Sequence, residues 1–291
     1  MSQIDSLIKI VEDKKNILPE HKRYARVITV ASGKGGVGKT NISVNLAIAY
    51  SQLGKKVLLM DADLGLANVN ILLGIIPKYT IYDVIKGTRS IHEVIIPYKE
   101  NIFLVPGASG FYQLAELRED QKKMLVENLS ELDDFDVIII DAGAGISDNV
   151  LRFVAASEEV IVVTTPEPTA ITDAYGIIKA ITAHDLHNTL KLVVNIVSDV
   201  MQAKKVYQKL AKVCHQFLGV MVENLGFIYE DQAVRKAVSL QKPLVLSFPD
   251  SKATQSIEHI VLRLEKMDHL VSEKKGFKKF LKKLFSLYVD E

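Results

Sequence analysis

Val27-Ile28-Thr29-Val30-Ala31-Ser32-Gly33-Lys34-Gly35-Gly36-Val37-Gly38-Lys39-Thr40 opens the interpretable part of this chain. An apolar run leads into a glycine-rich loop, and the spacing of Ile42, Leu46, Ile48 and Ala49 then predicts a helix. Strand, loop and helix together are the context in which G-x-x-x-x-G-K-[ST] is a phosphate-binding loop. The glycines let backbone N–H groups turn toward phosphate oxygens, and the helix N-terminus adds its dipole. In that arrangement Lys39 reaches the β- and γ-phosphates and the Thr40 hydroxyl binds Mg²⁺. Gly33, Lys34, Gly35, Gly36, Val37, Gly38, Lys39, Thr40 and Asn41 form the expected nucleotide-binding segment.

Working outward, further apolar runs predict strands at 56–61, 102–106, 137–141, 159–165, 190–196 and 222–228. Most lack polar alternation, as strands covered on both faces of a parallel sheet do. Helical periodicity separates them, near 41–53, 118–132, 147–157, 170–184, 200–217, 231–240 and 252–271. The expected fold class is a doubly wound α/β domain, a mainly parallel sheet with helices on both faces and the ligand at the carboxyl ends of the strands. Two runs end in aspartate at that rim: Leu58-Leu59-Met60-Asp61 and Ile138-Ile139-Ile140-Asp141. Mg²⁺ takes oxygen ligands and keeps several waters, so Asp61 and Asp141 are candidates, with Thr40, to hold the hydrated ion. Ala142-Gly143-Ala144-Gly145 then permits close backbone approach to a γ-phosphate.

Bulk properties narrow the class. The 291 residues are 48% hydrophobic and carry a net charge of +1. Residues 274–288 hold six lysines and no acid, leaving −5 for the other 276 residues. A distributed basic surface for nucleic acid is therefore not expected. Cys214 is the single cysteine, which excludes an intrachain disulfide and a cysteine metal cluster. With no signal peptide and no apolar run near 18 residues, a cytoplasmic protein is expected.

Lys34 is a cation that an ordinary phosphate loop does not require. Lys-Gly-Gly-x-Gly-Lys-Thr resembles the deviant Walker A ATPases of the MinD and ParA group. The resemblance implies ATP and Mg²⁺ as ligands, slow hydrolysis to ADP and phosphate, and an ATP-dependent homodimer in which Lys34 touches the partner subunit's nucleotide. It gives Lys34, Lys39 and Asp63 catalytic roles, Asp63 positioning the attacking water. It places adenine at Asn195 and at the Tyr229-Glu230-Asp231 loop, where Tyr229 and Asp231 are the candidate contacts. The group's usual Asn-Arg pair here reads Asn195-Ile196.

Two stretches, Asp141-Ala142-Gly143-Ala144-Gly145-Ile146-Ser147 and Thr164 to Tyr175, are similar to the flagellar branch of that group, the FlhG proteins (also FleN or YlxH). That branch implies control of flagellar number and placement at the cytoplasmic face of the inner membrane, with FlhF and the flagellar C-ring proteins as partners. Its leader motif D-Q-A-x-x-L-R meets Ser2-Gln3-Ile4-Asp5-Ser6-Leu7-Ile8, matching at Gln3 and Leu7. The domain reading is a leader with a short helix at 1–22, an ATPase domain at 23–271 and a terminal amphipathic helix at 272–291. In that last segment Phe277, Phe280, Leu281, Leu284, Phe285 and Tyr288 form an apolar stripe flanked by Lys278, Lys279, Lys282 and Lys283. Such a helix suits an anionic membrane. Packing on the body or a nucleic-acid tail are the alternatives, and four lysines so close to the stripe argue against packing. A division-site MinD, a DNA-segregating ParA, a cluster-carrying reductase and a small-molecule kinase are the competing functions.

Overall fold

Seven consecutive residues of β1, Arg26–Ser32, are buried, because this strand lies in the interior of an eight-stranded sheet. The computed structural model describes residues 25–63, 68–107, 125–127, 129, 131–187, 189–268 and 276–287. The other strands are β2 (Val57–Ala62), β3 (Ile96–Lys99), β4 (Ile102–Val105), β5 (Val137–Ala144), β6 (Glu159–Thr164), β7 (Thr189–Val197) and β8 (Met221–Tyr229). Their order is β3-β4-β2-β5-β1-β6-β7-β8, all parallel except the β3–β4 pair. The helices are α1 (Lys39–Gln52), α2 (Asn68–Leu72), α3 (Ile81–Ile85), α4 (Ile91–Val94), α5 (Asp148–Ala156), α6 (Pro168–Ala183), α7 (Val200–Leu218), α8 (Gln232–Ser239), α9 (Leu244–Ser247), α10 (Lys252–Asp268) and α11 (Gly276–Ser286).

Alternate strand residues feed two faces. Ile28, Val30, Leu59 and Ile139 pack under α1 and α10. Val27, Leu58, Met60, Ile138 and Ile140 face the opposite layer, which contains α11 and Phe153 of α5. The right half of that layer is closed by α6 and α7 over Val160, Val162 and Leu192. The parallel α/β reading is therefore correct. The apolar runs do not reveal β3, a four-residue edge strand containing Pro97, a residue tolerated there because the strand is at an edge. Nor does periodicity reveal α2, α3, α4 and α9, each five residues or fewer, although Thr80/Asp83 and Ser90/Glu93 form capping boxes at α3 and α4. The leader helix and most of the 118–132 helix lie outside the described residues.

The terminal helix forms, but the expectation that its lysines keep it off the body is not met in this structure. Phe277, Phe280, Leu281, Leu284 and Phe285 are each at most 4% exposed. Phe277 stacks on Phe280 with ring centroids 5.6 Å apart, and Phe280 lies 6.4 Å from Phe153. The Gly276 amide donates to Glu158 Oε1 at 3.1 Å. The physical reason is angular. The stripe fills one half of the helix circumference, so lysines at its flanks stay in solvent while the whole stripe is buried. Tyr288 is outside the described residues.

Candidate nucleotide site

β1 ends in the interior of the sheet, between β5 and β6, and delivers the glycine loop to the rim where the strand order reverses. Gly36 and Gly38 take φ of +80° and +89°, which side-chain-bearing residues rarely adopt. A Cβ on Gly33 would lie 1.9 Å from the Asp173 carbonyl oxygen, so the loop sits directly on the α6 backbone. Gly35 and Gly36 have nothing within 4 Å of a Cβ position, leaving an open cradle. At its base α1 begins without a side-chain cap, so its first amides are available to an anion.

The register brings the carboxylates together. Asp61 of β2 is paired with Asp141 of β5, and both are almost fully buried. Lys39 Nζ lies 3.0 Å from Asp141 Oδ1, and the Ser43 hydroxyl donates to the same oxygen at 2.8 Å. Asp141 Oδ2 is buried with no hydrogen-bond partner among the described residues. Asp61 accepts from the Asp63 and Val69 amides at 3.1 and 3.2 Å. Burial first, and the Asp141 carboxylate second, push the Asp61 pKa up to about 7. Two buried carboxylates, one orphaned oxygen and a raised pKa describe a place that gains from a hydrated divalent cation. Thr40, at the start of α1 beside Lys39, would add a hydroxyl to such a donor set.

Asp63 lies just beyond β2, with its Oδ1 3.8 Å from the Cβ position of Gly143. Asn41 accepts the Asn45 amide at 3.0 Å, and Asn45 in turn accepts the Val245 amide, which ties the loop's helix to α9. Lys34 is folded back within its own subunit, on the Thr169 hydroxyl at 2.9 Å and Glu167 Oε2 at 3.3 Å. Asn195 donates to the Val37 carbonyl at 2.8 Å, joining the end of β7 to the loop. Ile196 follows at φ +58°, an unusual conformation for a β-branched residue, and is 42% exposed. Tyr229 packs edge-on to Phe227 at 5.2 Å. The Asp231 carboxylate caps α8 through the Ala233 amide and binds the Ala253 amide of α10, so both its oxygens are engaged by helix backbones.

Sequence reasoning missed four participants. Ser43 carried a signal, since it stands one helical turn after Lys39 on the same face. Glu167 and Thr169 lie in the quoted Thr164–Tyr175 stretch, but nothing in one dimension pairs them with Lys34. Gly107 packs against Asp61, where a Cβ would lie 1.4 Å from the Asp61 carbonyl oxygen.

Residues 25–196 match the family model described as an AAA domain. The chain is 41% identical to the antiactivator FleN of Pseudomonas aeruginosa over 82% of its length and 86% of that protein. It is 34% identical to the flagellum site-determining protein YlxH of Helicobacter pylori over 97% of both chains. The fold superposes on the septum site-determining protein MinD from Pyrococcus horikoshii, solved with Mg-ADP, at a TM-score of 0.68 and 26% identity, covering 84% of this chain and 98% of that one. Phosphate loop, paired strand-end aspartates and full-length similarity agree: the chain belongs to the MinD/ParA-type ATPases, ATP-hydrolysing enzymes, in the branch that contains FleN and YlxH.

Proposed function

We propose that this ATPase is a dimerising switch that controls flagellar number and placement from the cytoplasmic face of the inner membrane. The supporting observation is similarity to YlxH over 97% of both chains and to FleN over 82% of this one, in a chain with a second loop lysine and an amphipathic terminal helix. Lys39 exchanges Asp141 for the phosphates of ATP, while the Gly33–Thr40 amides hold the β-phosphate. Thr40, Asp61 and Asp141 hold the hydrated Mg²⁺, which neutralises phosphate charge when bound. Asp63 orients the water, and Asn195 with the Tyr229–Asp231 loop borders the base. Lys34 leaves Glu167 and Thr169 to reach the partner subunit's phosphates.

Membrane attachment uses the stripe from Phe277 to Tyr288, and a stripe buried on the body must first undock. The docked helix is thus the off state. Each lysine near an anionic surface contributes about 1 kcal/mol, and two tails in a dimer gain avidity of roughly 10²–10⁴. FlhF and C-ring proteins are the proposed partners; direct nucleic-acid binding is not part of the reading. A division-site role is the second reading, favoured by 32% identity to Bacillus subtilis MinD over 81% of this chain. Counting flagella and minicells in a strain lacking the gene separates them. Altered flagellation with normal division supports the proposal; minicells with unchanged flagella overturn it.

A further inference from the structure

β8 is an edge strand, paired only with β7 among the described residues. Two cavities flank it. One, about 590 Å³, lies between β8 and α10; the other, about 280 Å³, lies between β8 and α7. Gly226, Phe227 and Arg263 line both. No acidic residue lines either cavity, whereas Lys252, His259, Arg263 and Lys266 line the first and Lys204 the second. Lys252, His259, Arg263 and Lys266 share one face of α10 over about 21 Å, the span of roughly six residues of extended strand. The Arg263 guanidinium donates to the Leu225 carbonyl at 3.1 Å and to that of Asn224, at a bulge where Leu225 is the extra residue. Toward the start of the same strand, Phe217 and Met221 are 67% and 62% exposed.

Lysines beside an edge also deter pairing with other chains. That role explains the charge but not the two cavities beside the strand. We propose that β8 is a docking edge for an extended acidic segment of a protein partner. The segment adds to the sheet as a ninth strand beside Gly226–Tyr229. Its carboxylates meet Lys252, Arg263 and Lys266 on the α10 side, and an apolar residue covers Phe217 and Met221. Main-chain bonds supply affinity in such strand addition, and the flanking pockets supply specificity. Duplex DNA is the poorer occupant, because the cations line a cleft scaled to one extended chain.

The test uses the full chain and a fluorescent peptide of about ten residues alternating glutamate with valine, which places the carboxylates on one side. A lysine–valine peptide and a duplex DNA serve as competitors. The acidic peptide is expected to bind best, to weaken with salt, and to slow amide exchange over 225–229. Lys266→Glu, exposed and outside the nucleotide site, should weaken it about tenfold, or about 1.4 kcal/mol, with ATPase activity unchanged. Absent binding, equal affinity for the two peptides, an unaffected Lys266→Glu variant, protection away from β8, or tighter binding of the duplex would each overturn the proposal.

Discussion

Replacing Phe153 with leucine tests whether the docked helix is a restraint. Phe153 is 1% exposed on α5, and its ring meets Phe280 of α11. The substitution alters the body side of the contact and leaves the membrane-binding stripe intact. Five buried side chains contribute roughly 7–15 kcal/mol. Ordering eleven residues costs roughly 11 kcal/mol or more, so docking is a balance of only a few kcal/mol. Losing the ring pair and its fit removes about 1.4 kcal/mol, which is tenfold in the docking equilibrium. The assay is sedimentation with anionic vesicles at limiting lipid. Without nucleotide the bound fraction should rise about tenfold, while with ATP it should change by less than about twofold, because ATP already favours the undocked form. The melting temperature should fall by only a few degrees. A variant that stays off vesicles without nucleotide, yet binds normally with ATP, would refute the view that docking holds the tail back.

Three other outcomes follow from the site and the core. Asp61 holds a proton in the folded chain that the unfolded chain has already released between about pH 4 and pH 7. Stability without Mg²⁺ should therefore fall across that window, by about 4 kcal/mol, and Mg²⁺ affinity should rise about tenfold per pH unit up to 7. Thermal melts and calorimetry of wild type and Asp61→Asn check this, since the variant should show neither trend. Lys34→Ala removes only half-exposed contacts, so stability should shift by less than about 0.5 kcal/mol while sedimentation velocity shows the ATP-dependent dimer lost. Beneath the sheet, Glu159 accepts from Arg26 at 2.9 Å and pairs with Lys191 at 2.8 Å. Burial pushes its pKa up, but the two cations outweigh this and hold the carboxyl below its usual range. Its ionised form therefore contributes stability above about pH 4.5 that is lost as pH falls through the lowered value. Glu159→Gln at neutral pH should cost about 3 kcal/mol in chemical denaturation, because it breaks the buried pair and leaves Arg26 only its longer contact with Glu265 at 3.5 Å.

Much of this molecule could be read in one dimension for identifiable reasons. Val27–Ala31 and Val137–Ile140 are strands without polar alternation, which only a doubly covered sheet accommodates, and Gly36, Gly38 and Lys39 are tied to a loop of fixed spacing. Asp61 and Asp141 could be placed at the rim because each ends an apolar run. Pairing information was out of reach. Ser43 on Asp141, Lys34 on Glu167 and Gly107 on Asp61 depend on how elements cross in space. The tail shows a subtler limit. Periodicity identified the stripe of Phe277, Phe280, Leu281, Leu284 and Phe285, but an amphipathic pattern reports that a face will be covered and not by what. Asp231 illustrates the converse, since its capping of α8 was as legible as any base contact.

The most direct measurement is the behaviour of wild type and Asp63→Ala with ATP, by analytical ultracentrifugation and vesicle sedimentation together. The account predicts that the variant retains ATP, remains dimeric and stays on the vesicles, whereas wild type returns to monomer in solution as ATP is consumed. A variant that holds ATP yet sediments as a monomer and leaves the vesicles bare would contradict a nucleotide-switched dimer.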